Sequence, residues 1–170
     1  MADTTNTLPN NLEVARLLKE GHFRFRLLSE AHLLAAFLSE ACPNPRLAIM
    51  GITEILVNAV EHGNLGIGFE EKSKLQMEAN WLQEIDRRLN LPEHANQFVD
   101  VQLIRTETEI RIKVTDQGNG FDWQHYQSGT HNPLSTHGRG ILLAKNLAFK
   151  QLEYTGKGNE VTCVIALENT

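Results

Sequence analysis

Three short stretches combine residue types that can do chemistry. In the first, residues 52–64, Glu54, Asn58 and the pair Glu61/His62 fall at i, i+4 and i+7/i+8. On a helix this spacing gathers them on one face, with Ile52, Ile55, Leu56, Ala59 and Val60 on the others. An amide and a carboxylate aimed into a cavity can ligate a hard cation and orient a hydroxyl. The same spacing also describes a solvated stripe, although such stripes usually carry Lys or Arg and this one has neither. In the second stretch, residues 114–121, Asp116 follows a run that reads as a strand, and Gly118 and Gly120 come next. Asp, Asn and Gly are turn formers. Two glycines also allow a ligand to approach the backbone closely, and Asp116 can accept from an exocyclic amine such as that of adenine. In the third, residues 137–143, Gly138, Arg139 and Gly140 open a helix. Free N–H groups at such a start bind anions, and Arg139 or Lys145 can add charge; the plainer reading is a glycine-rich helix start. No Gly-Lys-Ser/Thr is present, so this is not a Walker loop. The polar stretch before it is not the strand that a dinucleotide fingerprint needs.

The elements that must position these residues follow from periodicity and punctuation. Residues 22–28 alternate, with Phe23, Phe25 and Leu27 against Arg24 and Arg26, and predict a strand. Ser29 offers an N-cap for a helix that Pro43 stops after about Cys42. Asn44 and Pro45 then read as an N-cap and a first helical residue, opening a helix to about His62 with Gly63-Asn64 as its C-cap. After a loop at 65–69, residues 70–90 predict one exposed amphipathic helix. Leu75, Leu82 and Leu89 lie along one side of it, and Glu84 and Arg88 make an i,i+4 pair. Strands at 98–104 and 109–115 form a hairpin. Residues 117–137 lack apolar periodicity, which marks a functional lid or a disordered stretch. A helix over 138–149 and a closing hairpin, 151–155 with 160–167, complete the order. Strands grouped in this way predict an α/β protein: a two-layer sandwich with a mixed, mostly antiparallel sheet covered on one face by helices. Residues 1–20 are expected to be a flexible tail and 21–170 a single domain.

Bulk properties narrow the function. A chain of 170 residues suffices for one domain with a core. Its net charge of −5 argues against a general nucleic-acid backbone binder, while local donors can still hold polyphosphates. The start has no apolar signal-peptide core, and no apolar run is long enough to span a membrane. Cys42 and Cys163 lack metal-site spacing. A disulfide between them stays open, although two thiols in a domain of this size suit a reducing cytoplasm better.

Taken in order, the three stretches resemble the GHKL ATPase superfamily. Glu54-x-x-x-Asn58-Ala59 resembles its N box, Asp116-x-Gly118-x-Gly120 its G1 box and Gly138-x-Gly140 its G2 box. Residues 158–162 resemble the final strand, where Thr162 would approach the adenine pocket. The likeness covers roughly residues 20–168. Within the superfamily, Glu61-His62-Gly63-Asn64 and the segments 120–123 and 138–141 are similar to the anti-sigma-factor serine kinases of bacterial partner-switching systems. The long helix at 70–90 departs from the shortest of these.

The resemblance implies a Bergerat fold that binds ATP with Mg²⁺. Asn58 would coordinate the Mg²⁺ and Asp116 would recognise the adenine amine. Gly118 and Gly120 would shape the pocket, and the amides around Gly138, Arg139 and Gly140 would hold phosphate. His62 is placed with the nucleotide-binding residues, packing or hydrogen bonding to the loop being its alternative role. Glu54 is the candidate general base, acting on a serine of a STAS-type anti-sigma antagonist. A sigma factor and a second copy of the chain are further implied partners, and nucleic acid and membrane are not. The alternative function is a regulatory or anti-sigma module that binds ATP without transferring phosphate. A sensor histidine-kinase core fits less well, because His32 sits among Ala31, Leu33 and Leu34 without the acid and proline of a phosphoacceptor helix.

Overall fold

The computed structural model describes residues 14–121 and 148–167. Five strands form one sheet: β1 (Glu20–Phe25), β2 (Val99–Arg105), β3 (Glu109–Thr115), β4 (Gln151–Thr155) and β5 (Glu160–Ala166). Their order is β1-β2-β3-β5-β4. Every pairing among them is antiparallel, so the described sheet is not mixed. Residues of one parity are buried: Val99, Val101 and Leu103 on β2, Ile110, Ile112 and Val114 on β3, and Val161, Cys163 and Ile165 on β5. The other parity carries polar groups that pair across strands, as Arg24 does with Asp100 and Lys113 with Glu160. A sheet of this pattern must be covered on one side only.

The cover comes from α1 (Leu28–Ser39) and α2 (Pro45–Asn58). Ala31, Ala35 and Leu38 of the first and Ile52, Ile55 and Leu56 of the second lie in the same core as the inward strand residues. Each such aliphatic side chain larger than alanine contributes about 1.5–3 kcal/mol on full burial. The start of α2 is as its sequence predicts: Asn44 Oδ1 accepts from the Leu47 amide at 3.2 Å, and Pro45 holds the first helical position. The start of α1 is not. Ser29 lies inside the helix, and the Glu30 carboxylate instead accepts from the amides of Arg26 and Leu27, each at 2.9 Å. Residues 15–17 form a 3₁₀ turn in which Ala15 is fully buried, so the folded body reaches into the segment expected as a tail.

The largest departure concerns residues 70–90. They form two helices, α3 (Phe69–Met77) and α4 (Trp81–Leu89). Between them Ala79 adopts a left-handed φ of 57°, with the Asn80 amide bonded back to the Leu75 carbonyl at 2.9 Å. This break rotates the second half of the expected stripe. Leu89 is buried and Leu75 packs on the core, whereas Leu82 is 65% exposed. The Glu84–Arg88 pair is present at 2.7 Å. A left-handed alanine costs roughly 1 kcal/mol relative to glycine, so Ala79→Gly should stabilise the fold by about that amount, read as a higher urea midpoint at unchanged slope.

Both cysteines are buried free thiols rather than a disulfide. Burial pushes the Cys42 thiol up to about 12 and raises that of Cys163 as well, which leaves both inert at neutral pH. Among the described residues, no helix is long and apolar enough to cross a membrane.

Candidate functional site

At Asn58 the α-helix gives way to a π-helical turn, Ala59–Asn64. Its signature is the Leu65 amide reaching the Val60 carbonyl at 2.9 Å, five residues back. The wide turn parts two residues that an ideal helix would keep together. His62 lines an open cleft. Glu61 is fully buried, with Lys72 of α3 at 2.5 Å from its Oε2. Burial raises the Glu61 pKa, and Lys72 works against that shift. Glu61 therefore does not share the cleft-facing stripe; it anchors α3 beneath the turn.

Asn58 also lines the cleft, and its amide donates to Glu54 Oε1 at 3.0 Å. Glu54 is half-buried and linked to the cleft through this bond, without lining it. His62 is held on two sides. Its Nδ1 bonds to the Ile67 carbonyl, and its ring lies against Phe69 at 4.2 Å between centroids. The loop that supplies this carbonyl is itself fixed. The Ile67 amide reaches the Glu61 carbonyl at 2.8 Å, and Arg88 donates to the Leu65 carbonyl at 2.9 Å. Burial lowers the His62 pKa, so the imidazole is neutral at physiological pH.

The opposite wall comes from the end of β3 and the β4–β5 turn. Asp116 lines the cleft. Its Oδ1 accepts from the Gly118 amide at 2.8 Å, while burial pushes its carboxyl up to about 6. Asn159 latches it on both sides, the Asp116 amide donating to the Asn159 carbonyl and the Asn159 side chain to the Asp116 carbonyl. The buried Asn64 joins the two walls by accepting from the Gln117 amide at 2.8 Å. Two glycines are required here. A Cβ on Gly118 would lie 2.1 Å from the Gly63 carbonyl oxygen, and one on Gly120, at φ 76°, would lie 2.0 Å from that of Lys157. Phe121 and Tyr154 meet edge-on at 5.0 Å along the same cleft.

The structure thus brings Asn58, His62, Asp116 and Gly120 to one cleft, with Gly118 packed directly behind it. Thr162 is a correction. By strand alternation it points to the sheet face opposite Val161, and it is Val161 that lines the cleft. Gly138, Arg139 and Gly140, with the helix and lid expected around them, lie outside the described residues. The sequence marks Asn64 only as part of a helix C-cap and of the motif over residues 61–64, and it assigns Phe69 and Lys72 no role; what all three do depends on contacts between separate elements. Asn159 lies in the segment 158–162 that resembles the final strand, but its latch to Asp116 has no local signal.

The cleft suits a nucleotide with its metal. Its wall combines apolar side chains such as Ile55, Val114, Phe121 and Val161 with a few polar groups, as small-ligand sites do. Asp116 keeps Oδ2 without a hydrogen bond among the described residues. No group of three His, Cys, Asp or Glu side chains among those residues could hold a metal unaided, and Mg²⁺ bound through substrate phosphates and one or two protein groups needs none. Comparison with curated proteins returns no match. The family model described as the histidine kinase-like ATPase domain matches residues 31–165. That match runs from α1 to the end of β5 and includes the helix bearing Asn58, the Asp116 turn and the Val161 wall. The chain therefore belongs to the histidine kinase-like ATPase domain family, whose members bind ATP, typically with Mg²⁺.

Proposed function

We propose that the cleft binds Mg²⁺-ATP and that the chain is a protein serine/threonine kinase of a partner-switching system, phosphorylating a STAS-type anti-sigma antagonist in the cytoplasm. The observation that carries the reading is the convergence of Asn58 and Asp116 on one cleft from opposite walls. Asp116 Oδ2 accepts the adenine amine while Gly118 occupies Oδ1. Asn58, oriented by Glu54, offers its amide oxygen to the metal. Bound Mg²⁺ neutralises phosphate charge. Phosphoryl transfer needs little beyond such positioning. Gly138 to Gly140 and Arg139 are assigned to the phosphates on the motif resemblance.

Glu54 is the general base in this reading. It takes the proton of the partner's serine hydroxyl as that oxygen bonds to the γ-phosphorus and ADP departs. Glu54→Gln keeps an oxygen for the Asn58 amide and removes the base. With labelled ATP and a purified antagonist, transfer should fall about a hundredfold or more, while the ATP Kd by calorimetry stays within about threefold. Transfer by E54Q at the wild-type rate would show the base assignment to be wrong. ATP binding without labelling of any antagonist would favour a non-catalytic regulatory module.

A further inference from the structure

The His62 ring commits Nδ1 to the Ile67 carbonyl while the residue lines the cleft. A carbonyl oxygen can only accept, so the bond to Ile67 requires the proton on Nδ1. In the neutral ring Nε2 is then a lone pair and cannot donate. The ring cannot swap nitrogens freely, because Phe69 lies against its face and the Ile67 loop is tied to the Glu61 carbonyl and to Arg88. Lys72 and Glu54 are the charged groups that act on it, and Lys72 disfavours a second proton on the ring. His62 lines the cleft one turn beyond Asn58. A lone pair in that place repels phosphate oxygens and attracts O–H groups.

We propose that His62 Nε2 is a specificity contact that accepts a hydrogen bond from a hydroxyl-type donor of the bound ligand, and that it does not bind phosphate as a cation. The inference rests on the nucleotide reading above and assigns a role within it. Two parts of a metal–nucleotide complex offer such a donor: a ribose hydroxyl, or a water in the shell of the metal held at Asn58.

Two substitutions separate the ring's two jobs. His62→Asn keeps an N–H for the Ile67 carbonyl and lacks the distal acceptor. His62→Gln can place an amide oxygen near the Nε2 position. Calorimetry should show ATP bound about tenfold more weakly by H62N, the size of one lost hydrogen bond. H62Q should recover most of that loss. If the deficit of H62N disappears with 2′- or 3′-deoxy-ATP, the donor is the ribose. If it disappears when Mg²⁺ is chelated, the donor is a metal-bound water. Equal affinities of H62N and wild type for Mg²⁺-ATP would overturn the proposal and leave the nucleotide reading intact. So would a deficit identical under all four conditions, or a ¹⁵N spectrum placing the proton on Nε2. Wild-type protein that binds no adenine nucleotide would remove both.

Discussion

Asp116→Asn should abolish tight ATP binding while making the ligand-free protein more stable. The oxygen of the new amide has its place decided in advance, because Gly118 N–H already donates to that position at 2.8 Å. The amide NH₂ must then sit where Oδ2 was and, in the proposed binding mode, would face the adenine amine, donor against donor. An unsatisfied pair of this kind costs a few kcal/mol, so calorimetry should show a loss of roughly a hundredfold or more. The stability effect has the opposite sign. Burial pushes the Asp116 carboxyl from its ordinary 3.8 up to about 6. Between those values the folded protein holds a proton that the unfolded chain has released, so stability falls as pH rises through the window and stays lowered above it. A shift of this size corresponds to about 3 kcal/mol at most. Asp116 keeps some solvent contact, and about 1 kcal/mol is the expected gain. For a domain of this length that is about 2–4 °C in Tm. The gain should be full above about pH 6, shrink below it and vanish below the ordinary carboxylate pKa. A Tm difference between variant and wild type that does not change with pH would show that Asp116 is not held out of water as described.

Gly118→Ala should damage both the fold and the site. Its Cβ would lie 2.1 Å from the Gly63 carbonyl oxygen and 3.0 Å from Asp116 Oδ1. Backbone forms the first obstacle, so no side chain can swing away. Relief requires the β3 loop to part from the π turn, which would break the Asn64–Gln117 bond and move Asp116 relative to Asn58. Overpacking of this kind costs about 1–3 kcal/mol, and a value near the top of that range corresponds to a Tm lowered by roughly 6–12 °C. ATP affinity should fall at least tenfold in the fraction that remains folded. Gly68→Ala is the control: nothing lies within 4 Å of a Cβ there, so only the N-cap preference of α3 is at stake, about 1 kcal/mol or less, and its Tm should fall by no more than about 2–4 °C with ATP affinity unchanged. A G118A protein with wild-type Tm and affinity would mean that the two walls do not touch at this point.

Local signals made much of this legible from the residues. Asn44 and Pro45 announce a helix start within four residues, and the structure places it there. Alternation, with a short polar turn in the first and a glycine turn in the second, gave both hairpins to within about one residue. Three features escaped for identifiable reasons. The break at Ala79 carries neither Gly nor Pro, so nothing in composition interrupts an apparent 20-residue helix. Glu61 and His62 fit one face at 3.6 residues per turn, but a π turn changes the phase and sends one inward and the other to the cleft. Thr162 and Val161 differ by one residue, and on a strand one residue decides the face; a motif resemblance does not carry that parity, but the burial pattern of β5 does. Asn64, Lys72 and Asn159 act on partners 53, 11 and 43 positions away in the chain, a kind of pairing that no local pattern encodes.

Much of the cleft is shaped by main chain. The Phe121 amide meets the Lys157 carbonyl, Asp116 meets Asn159, and Ile67 meets Glu61, each through peptide groups that any residue other than proline supplies. The pocket's outline is thus written in the path of the polypeptide, and only a handful of side chains are committed to it. Relatives could exchange many of the intervening letters and keep the same hollow, which leaves the surrounding surface free to diverge.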